Sequence, residues 1–216
     1  MRGSRVKSVL GFLLFLLLAA ALVYFLLEGK GVRRGIKGIP EPKQTEASGG
    51  TSFEMSGYDV NVSYMAAYEI EALVVHTHDY TGLSLGDRLA PVDLGLAWGK
   101  VAEYNDRIDF HWEQANRWLN WHTDSYSELQ SVGGEDAVLQ QASNNHIIPA
   151  TGTVRKAVKK IKMGDRVRLK GYLVNLNAEK SNGATFTWSS SLTRDDTGNH
   201  ACELFYVTGV EVEGEK

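Results

Sequence analysis

Cysteine and proline are scarce in this chain of 216 residues, which contains one cysteine, Cys202, and four prolines. A single cysteine excludes an intrachain disulfide and any zinc site built from several cysteines. It leaves the redox compartment undetermined, because a lone cysteine is compatible with a reducing or an oxidising environment. The remaining composition, 43% hydrophobic and 23% charged, is typical of a globular protein and excludes general disorder.

Positive charge is scarce in most of the chain. Seven of the 23 Lys and Arg residues, but only one of the 26 Asp and Glu residues, lie in residues 1–38. The remainder therefore carries 16 basic and 25 acidic side chains, a net charge of −9. This balance argues against nucleic acid as a partner, since phosphate binding depends on Lys and Arg.

Charged residues are absent from residues 9–27, VLGFLLFLLLAAALVYFLL. At about 1.5 Å per helical residue, nineteen apolar residues span the ~30 Å hydrocarbon core of a bilayer. The run exceeds the roughly 7–15 apolar residues of a cleaved signal peptide, so we interpret it as a retained transmembrane signal anchor. Residues 1–8 then form a short cytoplasmic tail. The flanking positive charges are balanced, so the short tail and the acidic remainder decide the orientation. They favour an inner (cell) membrane protein with a periplasmic domain.

Large apolar side chains are few in residues 28–51, where Gly, Pro, Ser and charged residues dominate. Such a segment cannot bury enough apolar surface to order itself, so we predict a flexible linker. Residues 52–216 follow as a soluble domain, which is long enough to bury a core.

The domain is predicted to be mainly β, in the α+β class. Hydrophobic patterning predicts strands over residues 68–76, 166–177, 185–190 and 203–212, with a bulge or bend at Gly171. Short helices are expected after Pro91 and over residues 135–142 and 154–162.

Residues 107–122 favour a β-hairpin that turns at residues 114–116. A helix is the alternative there, because Trp112, Ala115 and Leu119 also have helical spacing. The order of helix, turn and bent strand over residues 161–212 predicts a small β-barrel-like domain, with the OB-fold as one candidate.

Two histidines with strand spacing offer a candidate metal site. His76 and His78 are two residues apart, so on a strand both imidazoles point to one face, and Asp79 supplies a third ligand. The alternative is that these polar side chains mark the exit of a strand into solvent. We predict no cofactor.

Charge and aromatic patterning suggest a binding surface. Eight of the nine charged residues in residues 155–170 are basic, a pattern suited to phosphates, lipid headgroups or an acidic protein face. An ordinary solvated helix face is the alternative. Three tryptophans within ten residues suggest a stacking platform for sugars or peptides, unless they fill the core. The candidate surface consists of Lys156, Lys159, Lys160, Arg166, Arg168, Lys170, Trp112, Trp118 and Trp121.

Four stretches together carry a resemblance: residues 91–99 (PVDLGLAWG), 146–150 (HIIPA), 171–174 (GYLV) and 189–203 (SSSLTRDDTGNHACE). They resemble bacterial single-pass membrane-anchored proteins of no assigned activity. The resemblance implies a bacterial source and one coherent domain, and it brings no catalytic residue.

These observations predict a membrane-anchored extracytoplasmic protein that binds a ligand without transforming it. The partners expected are the membrane itself and either anionic lipid headgroups or another envelope protein. One alternative is a membrane-tethered hydrolase that uses a metal or His76, His78 or His146. A second is a nucleic-acid-binding barrel that faces the cytoplasm.

Overall fold

The computed structural model describes Leu16, residues 33–193 and residues 202–213. The chain divides into two compact units, Met1–Val32 and Arg33–Lys216, and the strands and helices given below all belong to the second unit. Apart from Leu16, the predicted tail 1–8 and anchor 9–27 lie outside the described residues. Within the described residues, no helix is long and apolar enough to cross a membrane.

The described part of the chain is built mainly from strands, joined by short helices. The helices are α1 (Leu85–Leu89), α2 (Gly99–Tyr104), α3 (Gly134–Gln141), α4 (Gly152–Val158) and a 3₁₀ turn, Leu129–Ser131. The strands are β1 (Lys43–Glu46), β2 (Gly50–Met55), β3 (Tyr58–Asp79), β4 (Val92–Ala97), β5 (Glu113–Ala115), β6 (Trp118–Asn120), β7 (Ala142–Pro149), β8 (Arg166–Glu179), β9 (Thr185–Ser189) and β10 (Glu203–Val212).

Eight of these strands form one large mixed sheet, while β5 and β6 form a separate hairpin. The main path runs β3–β4–β7–β10–β8, and β8 pairs again with β3. The β7–β10 pair is parallel and the other pairs are antiparallel. The two ends of the path meet different lengths of β3, because β8 pairs with residues 59–73 and β4 with residues 73–79. The prediction of a mainly β domain is thus confirmed. Its strands form a large mixed sheet and not a closed barrel.

Strand β3 is the longest strand described, at 22 residues, and it changes faces along its length. Its register with β8 shifts between Tyr64 and Ala66, as at a β-bulge. A bulge adds one residue to one strand, so the inward-facing residues before it and after it belong to different faces. Val60 and Val62 accordingly join one buried cluster, whereas Tyr68 joins another.

The larger buried cluster packs β3, β4, β8 and β10 against α2, α3 and α4. Its largest fully buried side chains include Trp98, Tyr68, Phe110 and Phe205. The smaller cluster lies under α1, which contributes Leu85 and Leu89. At about 25 cal/mol per Å² of apolar surface, burial on this scale provides the main stabilisation of the domain.

Local signals fix the elements around the smaller cluster. Ser84 caps α1, since its hydroxyl oxygen accepts a hydrogen bond from the Asp87 backbone N–H at 3.1 Å. The β5–β6 hairpin turns at Asn116 and Arg117, whose φ angles of 52° and 71° are those of a type I′ turn. Gly95 in β4 lets this hairpin approach, because a Cβ there would lie 2.9 Å from Leu119 Cδ1.

Several predicted elements need correction. The flexible linker 28–51 is wrong for residues 39–51, because Ile39 is buried in the larger cluster and β1 pairs with β3. The helix expected after Pro91 is instead the fully buried strand β4. Residues 107–112 are not a strand, and the hairpin turns two residues later than expected. The bulge expected at Gly171 lies beside it in β10, between Val207 and Gly209.

Candidate functional site

A cleft of about 590 Å³ opens between α1, the β5–β6 hairpin, β7 and β9. This volume falls within the roughly 300–1,000 Å³ typical of small-molecule sites. We name it the Arg117 cleft. Its lining residues are Ser84, Gly86, Asp87, Arg117, Trp118, His146, Phe186, Thr187, Trp188, Ser189 and Cys202.

Arg117 holds the hairpin against the sheet at the centre of this cleft. Its Nη1 donates to Asp93 Oδ1 and to the carbonyl of Ala90, each at 2.8 Å. Its Nη2 donates to Asp87 Oδ1 at 2.8 Å. The guanidinium carbon lies 3.4 Å from the ring centroid of Tyr80, in cation–π geometry. The Arg117 side chain therefore links the β5–β6 hairpin to α1, to β4 and to Tyr80, which directly follows β3.

Asp93 is a fully buried carboxylate in β4, a strand whose six residues are all buried. Besides Arg117, it faces Nδ1 of His146 at 3.0 Å, and His146 is itself 96% buried. The Nδ2 of Asn144 lies 3.5 Å from Asp93 Oδ2. A buried charge is tolerated only when it is paired and hydrogen-bonded, and Arg117 and Asn144 supply the hydrogen bonds to Asp93.

Side-chain amides extend the polar contacts under the hairpin. Gln114 Nε2 donates to Asn144 Oδ1 at 2.5 Å, and Asn144 Nδ2 donates to the Arg117 carbonyl at 2.8 Å. Gln114 Oε1 lies 3.0 Å from Nδ1 of His76. Cys202 Sγ lies 3.8 Å from Asn144 Nδ2 and 3.7 Å from the Arg117 carbonyl oxygen. Fully partnered networks of this kind rigidify the groups they contain.

Aromatic side chains of β9 form one wall of the cleft. Trp188 lies with its ring centroid 4.8 Å from that of His146 and 5.4 Å from the Arg117 guanidinium carbon. Phe186 meets Trp188 edge to face at 6.1 Å. Gly86 faces both rings, and a Cβ there would lie 3.7 Å from each of them. The absence of a side chain at Gly86 therefore keeps the cleft open.

Two titratable groups beside Arg117 have shifted pKa values. Burial, followed by the negative charge of Asp93, raises the pKa of Tyr80 to about 12, so its phenol stays protonated. The hydrogen bond from Ser84 is the main cause of a lowered pKa at Asp87, and Arg117 lowers it further. Asp87 therefore stays ionised, and remains a partner for Arg117, to a lower pH than an ordinary aspartate does.

The metal site predicted at His76, His78 and Asp79 is not found. Among the described residues, no group of three or more His, Cys, Asp and Glu side chains is arranged to hold a metal ion. His76 is engaged by Gln114, while the His78 ring packs against Tyr80 with centroids 4.5 Å apart. These histidines mark the polar end of β3, in agreement with the alternative reading of the sequence.

The three tryptophans predicted as a platform are separated. Trp112 and Trp121 are half-buried and pack against the larger cluster through Phe110. Trp112 also donates through Nε1 to Asn105 Oδ1 at 2.8 Å. Of the three, Trp118 alone lines the Arg117 cleft.

The predicted basic surface divides into two parts. Lys156, Lys159 and Lys160 are exposed at α4 and just beyond it. Arg166 and Arg168 instead pair with Glu71 across β3 and β8, with Arg168 Nε 2.9 Å from Glu71 Oε2. Glu71, Arg166 and Arg168 form what we call the Glu71 ladder. Lys170 follows on β8 and lines a separate groove of about 570 Å³ with residues of β1, β3 and β10.

Sequence reasoning missed the residues that build the Arg117 cleft. Asp87, Asp93, Arg117 and Trp188 come from four separate elements, so no local spacing connects them. One signal was available: Asp93 interrupts an apolar run, VDLGLA, and a charge in a buried strand requires a partner. His146 is one of the histidines named in the hydrolase alternative, and the structure places it in the lining of the cleft.

Comparison with family models, curated proteins and solved structures finds no match for this chain.

Proposed function

We propose that the chain is a membrane-anchored, extracytoplasmic binding protein whose ligand occupies the Arg117 cleft. The anchor is residues 9–27, nineteen residues without a charged side chain. The short tail and the acidic domain support an extracytoplasmic position. The partners are then the membrane and a small ligand or an envelope component.

We further propose an OB-type arrangement, in which β3, β4, β7, β8 and β10 serve as the five strands. The pairing order places the third strand beside the fifth in parallel, and α4 joins the third strand to the fourth. OB-folds are partly open barrels that bind ligands on the face of their second and third strands, between the first and last long loops. The Arg117 cleft has the corresponding position here, with α1 and β9 in those two loops.

One observation carries the proposal: charged side chains from three elements converge on a cleft that stays open beside Trp188. Asp93 has no exposed surface, and Asp87 and Arg117 are about four-fifths buried. Taking such charges out of water costs several kcal/mol per ion, so they are a poor way to build a core. A rigid, polar floor beside an aromatic wall is a common design of binding sites.

Filling the cleft tests the proposal. The full chain in detergent is screened by saturation-transfer NMR against a mixed panel of saccharides, short peptides and nucleotides. Gly86→Leu, in the first turn of α1, projects a side chain towards Phe186 and Trp188, and leucine also favours a helix. We expect binding to be lost in this variant.

The matched control is Gly152→Leu, at the start of α4, where a Cβ would meet nothing within 4 Å. This variant should bind as the natural chain does. Equal binding by both variants, or no binding to any member of the panel, contradicts a ligand site in the cleft.

Orientation in the membrane has its own test. An alkaline phosphatase domain fused after Lys216 should be active, because that enzyme requires an oxidising compartment. An inactive phosphatase, combined with a fluorescent cytoplasmic reporter at the same position, would place the domain in the cytoplasm and restore the nucleic-acid alternative.

A His-based hydrolase is the second candidate, and the Asp93–His146 contact favours it. Asp93 Oδ1 lies 3.0 Å from His146 Nδ1, the ring nitrogen through which a carboxylate orients the general base of serine hydrolases. Turnover of activated esters by the full chain, abolished in His146→Ala and retained in His78→Ala, would favour this candidate over a pure binding protein. Hydrolysis at the same rate in all three chains would exclude it.

A further inference from the structure

The positive charge of the Arg117 cleft is already paired within the protein. Arg117 is the one lysine or arginine among the described residues that line the cleft, and it is bonded to both Asp87 and Asp93. The formal charges of Arg117, Asp87 and Asp93 sum to −1. To pair with Arg117, an anionic ligand would therefore have to displace a carboxylate. The described lining residues offer no second lysine or arginine that could bind the ligand instead.

In the cleft, hydrogen-bond acceptors that have room for further bonds lie beside a hydrogen-bond donor. Each Asp87 oxygen accepts one described hydrogen bond, from Ser84 or from Arg117, and a carboxylate oxygen has room for a second. Arg117 lies next to it with 19% of its side chain exposed.

Hydroxyl groups on neighbouring ring carbons match this arrangement. Each hydroxyl both donates and accepts, so two of them can bond to a carboxylate and to a guanidinium that lie side by side. The C–H face of a sugar ring is apolar and packs on an indole, and Trp188 supplies that surface. A peptide spaces its donors and acceptors along an extended backbone, which fits a single compact cluster less well.

We propose that the ligand of the Arg117 cleft is an uncharged saccharide that stacks on Trp188 and hydrogen-bonds to Asp87 and Arg117. This inference rests on the proposed binding function and specifies its ligand class. It assigns Trp188 and Asp87 as the residues that set specificity.

Isothermal titration of the full chain tests this inference. The detergent is a polyoxyethylene ether, since an alkyl glycoside would present a sugar to the site. The probes are cellotetraose, maltotetraose and chitotetraose, with tetragalacturonate as the anionic counterpart. A tetrapeptide and an eight-nucleotide oligothymidylate represent the other ligand classes.

We expect at least one neutral tetrasaccharide to bind, and tetragalacturonate to bind at least tenfold more weakly. Trp188→Ala should weaken binding at least tenfold, whereas Trp188→Tyr, which retains an aromatic face, should change it less than about threefold. Gly86→Leu should abolish it. Trp188 lies on β9, a peripheral strand, so we expect Trp188→Ala to fold. If it does not, Trp188→Tyr and Gly86→Leu still test the inference.

The other outcomes separate this inference from the proposed function. If the peptide, the oligonucleotide or the anionic sugar binds instead, and Gly86→Leu abolishes that binding, the saccharide is excluded and the cleft remains the site. If a tetrasaccharide binds equally to the natural chain, Gly86→Leu and Trp188→Ala, both proposals fail. Both proposals also fail if no probe binds in this titration and no member of the panel binds in the saturation-transfer NMR screen.

Discussion

The Arg117 cleft and the Glu71 ladder both consist of arginines paired with carboxylates, yet they differ in where their charges lie. In the cleft, Asp93 is fully buried and Arg117 is 19% exposed. In the ladder, Arg168 is 65% exposed and Glu71 is 14% exposed. The cleft joins α1, β4 and the hairpin, whereas the ladder joins two strands that are already hydrogen-bonded to each other.

The difference shows which ion pairs the fold depends on. An exposed pair contributes about 0–1 kcal/mol, because water already solvates its charges. A buried pair contributes little net stability when intact, but removing one partner leaves a charge that water cannot reach. The pair of the exposed Arg168 with Glu71 should therefore be replaceable, whereas the pair of Arg117 with the fully buried Asp93 should not be.

The largest effect is expected for Asp93→Ala. This change leaves Arg117 without its buried partner and opens a space beside His146, so we expect a loss of about 3–5 kcal/mol in the free energy of unfolding. Urea unfolding of the full chain in detergent, followed by tryptophan fluorescence, measures it. A loss below 1 kcal/mol would mean that the cleft behaves like the ladder.

A smaller effect separates the backbone of Arg117 from its side chain. Both Arg117→Ala and Arg117→Gly remove the guanidinium, but only glycine adopts the observed φ of 71° without strain. The glycine variant should therefore be the more stable of the two by about 1 kcal/mol. The same unfolding experiment compares them, and a more stable alanine variant would contradict a strained turn.

The ladder should respond to pH in a defined direction. Burial raises the pKa of Glu71, but hydrogen bonds from Arg166 and Arg168 outweigh it and hold this pKa below the ordinary 4.5. Since the folded pKa is lowered, the stabilisation is present above pH 4.5 and is lost as the pH falls through the folded pKa. At pH 7, Glu71→Gln should cost about 1 kcal/mol or less.

Urea unfolding of the natural chain and Glu71→Gln at several pH values between 7 and 3 checks this expectation. The difference between the two chains should shrink as the pH falls below 4.5. A difference that stays constant over this range would show that the ladder does not depend on the charge of Glu71.

The smallest effect on the fold is expected at the lysines of α4. Replacing Lys156, Lys159 and Lys160 together by glutamine should change the free energy of unfolding by no more than about 0.5 kcal/mol, because these side chains are exposed. Near a bilayer, however, each exposed lysine is worth about 1 kcal/mol of attraction to anionic lipid. We therefore expect weaker sedimentation of the triple variant with anionic vesicles at low salt.

Arg166→Gln with Arg168→Gln is the matched comparison, because the charges of these arginines are already shared with Glu71. This double variant should sediment with anionic vesicles nearly as the natural chain does. Equal recovery of the natural chain with anionic and neutral vesicles would leave the lysines as an ordinary solvated surface.

Much of the sheet could be predicted from the sequence, because strands such as β8 alternate buried and exposed side chains. The bounds predicted for β10, residues 203–212, are those observed, and β8 starts at Arg166 as predicted. Strand β4 was missed because it is paired on both edges and buried on both faces, so it shows no alternation. Strand β1 was missed because β3, and not its own composition, holds it in place.

The site could be predicted less well, for a physical reason. The two carboxylates that hold Arg117 precede it by 24 and 30 residues, and these distances are set by the sheet and not by any local spacing. His76 and His78, two residues apart in β3, form the more visible pattern in the sequence. In the structure, however, His76 contacts Gln114 and the His78 ring packs against Tyr80. Only the isolated charge of Asp93 within an apolar strand marked the site in the sequence.

The length of β3 has a consequence for how fast the domain forms. This strand pairs with β1, β2, β4 and β8, and the partner of Glu71 in β8, Arg166, follows it by 95 residues. Pairings between such distant segments make folding slow, because the intervening chain must be closed first. At about 5–20 residues per second, synthesis alone delays β8 by about 5–20 s after β3. The strand that holds four others together in the folded domain is therefore, during synthesis, a long unpaired edge open to wrong partners.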